Sequence, residues 1–269
     1  RNKINVWLLQ IVESLSTKEG YKKKYSYKSR YRLLFYNPVF MPILVQDAQF
    51  ALDQYFKERQ TPKFTSKQDV VIHIRCGDIL SAGGDEYGFM SAGFYRKAFE
   101  IINSLNATDN NGDKTIWILS QLGDNSLRSD DLLGKGNLER KNTAGCNQVV
   151  LGIIKRIKNE TNIFDGYDVM IEGNNPLNVD FYRMANAPYL ICGMSTFCEQ
   201  GALSNMNNVI LPIYGPWKDL KDMIEHGNVW IPHNHHFVNN SLDNLSLSSH
   251  QIGKRNLTPN AIINHILTH

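Results

Sequence analysis

The feature that most constrains this 269-residue chain is a strand-like run that ends in charge. Val70, Val71 and Ile72 lead through His73, Ile74 and Arg75 into Gly77 and Asp78. β-Branched side chains favour extended backbone, because two heavy atoms on Cβ crowd a helical turn. A buried strand seldom hands over to a cation, a glycine and a carboxylate within four residues. In open α/β sheets, ligands bind outside the carboxyl ends of the strands. A strand delivering His73 and Arg75 to that edge is therefore a candidate anion site.

From residue 69 onward, apolar runs alternate with amphipathic ones. Strands are predicted at Asp69–Arg75, Thr115–Ser120, Asp168–Glu172, Tyr189–Gly193 and Val209–Ile213. Helices are predicted between them, at Ala92–Leu105, Gly145–Lys158, Val179–Ala187 and Phe197–Asn205. In the first helix Phe94, Ala98, Ile101, Ile102 and Leu105 recur at helical spacing. Val149, Val150, Ile153, Ile154 and Ile157 repeat the pattern in the second. Such alternation reads as βαβ units with right-handed crossovers, an α/β fold with a Rossmann-like parallel sheet. Residues 1–68 differ, with short helices expected at Val6–Leu15 and from Pro42 to Tyr55. The expected division is a smaller, mostly helical region, 1–68, and a Rossmann-like domain, 69–269. The tail after Trp230 is rich in Asn, Ser and His and reads as mostly loop, closing on a helix at Pro259–Leu267.

Composition excludes several function classes. A net charge of +3 is too small to imply nucleic-acid binding by itself. The segment Lys18–Arg32 carries seven Lys or Arg among Tyr21, Tyr25, Tyr27 and Tyr31. It reads either as a polyanion strip or as a solvated loop, and without a nucleic-acid motif no nucleic-acid partner is expected. No apolar run reaches the roughly 18 residues of a membrane span, so no integral membrane segment is expected in this chain. The start, Arg1 to Asn5, does not read as a signal peptide, and lacking Met it suggests a trimmed chain.

Cys76, Cys146, Cys192 and Cys198 lack CxxC spacing and do not suggest a zinc site or a disulfide scaffold. Cys76 and Cys192, in apolar strand context, read as buried free thiols. Five N-x-Ser/Thr sequons begin at Asn106, Asn159, Asn239, Asn244 and Asn256. They suit a Golgi or secretory lumen if an upstream anchor was removed, with the cytoplasm as the alternative.

Motifs narrow the chemistry further. A P-loop, a G-x-G-x-x-G turn after a strand, a G-x-S-x-G elbow and an Asp-x-Asp pair are all missing. Asp109 to Asp113 has calcium-loop-like spacing without the distal Glu, and reads as a turn. His233, His235 and His236 stand in a polar tail and read as incidental, so no metal is expected. The second positive signal is Tyr189–Ala202, where a strand reaches Gly193 and Ser195 and Thr196 open a helix. Ser and Thr are preferred N-caps, and first-turn N–H groups make a ready anion site. Simple capping is the alternative. Combined with Arg75 from another strand end, however, this helix start would make a diphosphate cradle without a metal.

These residues carry a resemblance. His73, Arg75, Gly77 and Asp78 resemble the H-x-R-x-G-D signature of the α1,2-, α1,6- and protein O-fucosyltransferase superfamily. Gly83–Ile102, Thr115–Ser120, Asp180–Met184 and the stretch from Ser195 to Ala202 are similar to its later motifs, in the same order. The resemblance covers roughly Leu34 to Trp217 and implies a GT-B-type, metal-independent, inverting glycosyltransferase. It further implies GDP-fucose as donor, a glycan or glycoprotein hydroxyl as acceptor, no separate cofactor, and residues 1–68 on the acceptor side.

By the same resemblance, Arg75 binds the β-phosphate, His73 helps hold the nucleotide, and Ser195, Thr196 and Phe197 line the diphosphate. Gly77 permits close backbone approach and Asp78 fixes the loop. Asp85 and Glu86, in the Ser81–Gly88 loop, are the candidates for a catalytic base beside Arg75. Many relatives carry a second Arg where this chain has Cys76, which leaves the donor sugar open. The rival readings are a transferase for another nucleotide-sugar, a non-catalytic nucleotide- or glycan-binding module, and a polyanion or RNA binder acting through Lys18–Arg32.

Overall fold

Six strands, all parallel, build the central sheet. They are β1 (Val70–Ile74), β3 (Thr115–Ser120), β4 (Asp168–Gly173), β5 (Tyr189–Cys192), β6 (Asn208–Pro212) and β7 (His235–Val238). Their spatial order is β4-β3-β1-β5-β6-β7. Counted along the chain within this sheet, that is 3-2-1-4-5-6, the doubly wound Rossmann-like order. The structure, a computed structural model, describes residues 64, 66–76, 78–80, 88–105, 113–120, 143–173, 175, 177–212, 234–238 and 246–268. All of these belong to one compact unit, Ala48–Gly215 with Pro232–His269. The helices expected at Val6–Leu15 and Pro42–Tyr55 and the basic segment Lys18–Arg32 lie outside the described residues.

The connecting helices are α1 (Ala92–Leu105), α2 (Thr143–Glu160), α3 (Leu177–Asn186) and α4 (Thr196–Leu203). Two more, α5 (Ser249–Lys254) and α6 (Pro259–Thr268), follow the last strand. The chain moves outward from β3 through α2 to β4, then returns through α3 to β5 on the far side of β1. Right-handed crossovers in opposite directions place their helices on opposite faces. One face presents Val71, Leu119, Leu190, Cys192, Val209 and Leu211, sealed by Met184 of α3, by Ala187 just after it, and by Cys198 and Ala202 of α4. On the other face, Val70, Ile72, Ile116, Ile118, Ile191 and Ile210 are completely buried. Helix α6 packs along both α2 and α1. A strand buried on both faces explains why β1 reads as a continuous apolar run rather than an alternating one.

Gly201 sits where α4 meets α3, and a Cβ there would lie 2.7 Å from the Met184 Cβ. At the amino end of β1, the buried Asp69 carboxylate accepts from the Thr115 N–H at 3.0 Å and the Ser66 N–H at 3.2 Å. The Asp69 carbonyl accepts from the Tyr189 N–H at 3.2 Å. One residue thus ties the starts of β1, β3 and β5 together.

The tail is more structured than its composition suggests. After residue 230 the chain supplies β7, β8 (Ser246–Ser248) and α5 before α6. Strand β7 is only His-His-Phe-Val, and its identity comes from pairing with β6, His235 opposite Val209 and Phe237 opposite Leu211. An edge strand of such polarity has no hydropathy signature of its own. The short β8 likewise exists through antiparallel pairing with β2 (Gly88–Met90). That pairing requires glycine: a Cβ on Gly88 would clash with the Leu247 carbonyl oxygen and stand 2.8 Å from the Ser248 Cα. Gly88 also bridges to Met194, joining the ribbon to the segment after β5. We expect Gly88→Ala to destabilise the protein by about 1–3 kcal/mol through overpacking, seen as a lower urea midpoint.

Candidate functional site

Strands β1 and β5 are neighbours, and between them the strand order reverses. Connections leaving the two strands on opposite sides open a crevice at their carboxyl ends. His73 pairs in register with Cys192, the last residue of β5, and with Leu119 of β3. The Gly193 N–H then donates to the His73 carbonyl at 3.4 Å, extending the ladder by one step. Side-chain room is limited there: a Cβ on Gly193 would lie 3.4 Å from that carbonyl oxygen and 3.6 Å from the Met90 Cγ.

His73 is 8 % exposed, and its ring meets the Phe197 ring edge-on, centroids 5.7 Å apart. Its Nδ1 is buried without a hydrogen-bond partner. Burial first, and then the neighbouring Arg75 guanidinium, pull its pKa down from 6.5 to about 4. The imidazole is therefore neutral near pH 7 and offers one donor and one acceptor. Phe197 also faces Phe181 of α3, centroids 6.2 Å apart, so an aromatic layer continues from the strand end across α4 to α3. Arg75 follows β1 in a half-buried position.

Ser195 is the N-cap of α4, with extended backbone at φ −147° and ψ 121°. Its hydroxyl accepts from the Cys198 N–H at 3.3 Å, and its own N–H donates to the Gly193 carbonyl at 2.9 Å. The hydroxyl thus serves the cap. The anion-binding capacity of this turn rests on the N–H groups of Thr196 and Phe197, which as first-turn donors have no intrahelical acceptor.

Two disulfides brace the two halves, and here the expectation of buried free thiols is corrected. Cys192 is bonded to Cys198, six residues on, and Cys76 to Cys146, seventy residues away. All four cysteines are used. The first bridge closes the turn Gly193–Phe197 between β5 and α4. The second pins the chain just after Arg75 to the first turn of α2. Neither was legible as a pair, because only the fold brings Cα atoms to 5.6 and 5.7 Å, within bonding range.

Of the expected site residues, the fold brings His73 together with Phe197, and sets the strand end bearing Arg75 beside the one leading to Ser195. Asp78 opens a short 3-10 turn, Asp78–Leu80, and Thr196 begins α4. The side chains of Asp78 and Thr196, and all of Gly77, Asp85 and Glu86, lie outside the described residues. Phe181 was missed, although it falls inside the Asp180–Met184 stretch. So was the neighbouring ion pair of Arg183 with Glu172, 2.7 Å apart, with the guanidinium 4.6 Å from the Trp117 ring centroid. Asn175 donates to both Glu172, at 2.8 Å, and Asp180, at 3.0 Å. Glu172 is consequently committed to holding α3 against the sheet. Neighbours on a strand point to opposite faces, so His235 and His236 of β7 do not converge. The Nε2 of His235 lies 3.1 Å from the Ala202 carbonyl oxygen. Among the described residues, no group of three or more His, Cys, Asp or Glu is placed to hold a metal ion. None of the described helices is long and apolar enough to cross a membrane.

No protein-family model, curated protein or solved structure matches the chain.

Two outcomes follow from this geometry. Unfolded His73 takes up a proton near pH 6.5 and folded His73 only near pH 4. Its contribution to stability is whole above the higher value and is lost as pH falls toward the lower one. At about 1.4 kcal/mol per pH unit the loss reaches roughly 3 kcal/mol, and urea titrations across that window should show a shallower decline for His73→Asn. Replacing Cys192 and Cys198 by Ser should cost about 2 kcal/mol, and replacing Cys76 and Cys146 about 4 kcal/mol, because the second bridge closes a much longer loop. Urea unfolding of the two double variants checks the order.

Proposed function

We propose that this chain is a glycosyltransferase of GT-B type that takes an activated sugar from a nucleoside diphosphate, with GDP-fucose the favoured donor. One observation supports the reading above the rest: the strand ending in Arg75 and the strand leading to the Ser195 cap are adjacent at the reversal of strand order. A cation and a helix start that follow two adjacent strand ends suit a diphosphate, which gains negative charge as the glycosidic bond stretches. Preorganised donors at the place where charge develops are effective because they need no reorganisation during the reaction. Arg75 supplies a charge-assisted, bidentate partner, and the N–H groups of Thr196 and Phe197 supply dipolar ones. Neutral His73 and Phe197 form a less polar wall for the nucleotide. The sugar, oxocarbenium-like, is then captured from the opposite side by an acceptor hydroxyl, with Asp85 or Glu86 as base.

Cys76 bears on the donor. Where many members of the superfamily that the β1 motif resembles have a second Arg, this chain has a covalent anchor to α2. Charge is exchanged for rigidity, so a different nucleotide-sugar is the second reading.

Thermal-shift measurements with GDP, GDP-fucose, UDP-sugars and a short RNA separate these readings, since a ligand that binds only the folded state raises Tm. Stabilisation by GDP and GDP-fucose is the expected result, and a response to UDP-sugars alone would favour the second reading. Arg75→Ala should weaken GDP binding tenfold or more, given about 1.5–3 kcal/mol for a hydrogen bond to a charged group. Unchanged GDP affinity in a folded Arg75→Ala protein would sink the cradle. Transfer activity should survive EDTA.

A further inference from the structure

We propose that Asn256 is an N-glycosylation site and that the chain matures in an oxidising compartment where saccharides are transferred to asparagine. Asn256, Leu257 and Thr258 form a sequon in the turn between α5 and α6. Asn256 is exposed and left-handed, at φ 48°. Its N–H donates to the Gly253 carbonyl at 3.2 Å, and the Leu257 N–H donates to the Ile252 carbonyl at 3.1 Å. Those two bonds are a Schellman termination, in which Asn is a common substitute for Gly because it tolerates the left-handed region. The structural task at this position is performed by the backbone alone. No protein hydrogen bond to the side-chain amide is present among the described residues.

Thr258 is exposed as well, and its hydroxyl caps α6 by accepting from the Ala261 N–H at 3.3 Å. The other sequon lying wholly within the described residues differs. Asn159 belongs to the last turn of α2, and the Thr161 hydroxyl donates to the Ile157 carbonyl at 2.6 Å. A surface turn accepts a bulky branched substituent with less disturbance than a helical turn does. The four paired cysteines are a separate observation pointing to the same compartment, because reducing cytosol rarely preserves such bridges. Neither observation depends on the proposed transferase activity.

The covalent step balances with a lipid-diphosphate-linked oligosaccharide as co-reactant. The Asn256 Nδ2 forms a bond to the anomeric carbon, and the bond from that carbon to the diphosphate oxygen breaks. The diphosphate leaves with the electron pair, and the amide nitrogen loses one proton.

The test is peptide mapping of the full chain isolated from its own cells, after peptide-N-glycosidase treatment in heavy-oxygen water. The expected result is labelled aspartate at position 256. An unmodified Asn256 peptide overturns the proposal. In secretory expression, Asn256→Gly keeps the left-handed turn and Thr258→Asp keeps the helix cap, and each should lose one glycan's gel shift. Thr258→Ser keeps cap and sequon together and should retain it. Retention of the modification in Thr258→Asp would overturn the assignment to the sequon.

Discussion

Parallel pairing of β1 with β5 is the contact on which the rest of this structure depends. β1 lies at the centre of the sheet, with the earlier crossovers on one side and the later ones on the other. Its side chains are buried to both faces, so its register cannot slip without exposing the whole apolar set. Holding β5 in register with β1 sets His73 opposite Cys192, and thereby positions everything that leaves the two strands at their carboxyl ends. The buried Asp69 carboxylate and carbonyl fix the same trio of strands at the opposite end.

Around that pairing, covalent and aromatic contacts fix the carboxyl-end edge of the sheet. The Cys192–Cys198 bridge holds the turn between strand and helix, and the Ser195 cap orients the first-turn N–H groups. Phe197 lies against His73 on one side and Phe181 on the other. The cost of this arrangement is a buried imidazole with an unpartnered Nδ1, kept neutral by desolvation and the nearby guanidinium. Buried unpaired polar atoms are uncommon in folded proteins and call for an explanation. The nucleotide of the proposed function, bound between the strand ends, would supply the missing hydrogen bond.

Much of the fold was readable from local pattern. Phe94, Ala98 and Ile102 repeat at helical spacing and are all buried in α1, whose expected bounds match the structure. The Thr115–Ser120 strand likewise matches. β7 was not readable, because His235 and His236 carry no strand signature and become extended only by pairing with Val209 and Ile210. The pairing of Cys76 with Cys146 was hidden for the same reason. Cys76 and Cys146 are seventy residues apart, and nothing local links them. In the site, Ser195 as a cap could be read from residue type, whereas the contact of His73 with Phe197 could not, because it joins residues from different strand–helix units.

The sequence by itself determined the alternation of strands and helices and the polar ends of β1 and β5, because side-chain branching, apolar period and capping chemistry act over a few residues. Only the tertiary structure decided that those two ends adjoin, that β7 completes the sheet and that the four cysteines pair. The adjoining ends, β7 and the Cys76–Cys146 bridge depend on crossovers of tens of residues, and long-range closure is set by the packing of whole elements rather than by any local preference. The Cys192–Cys198 bridge is short-range, but it needs the turn from β5 into α4 to bring its two residues together.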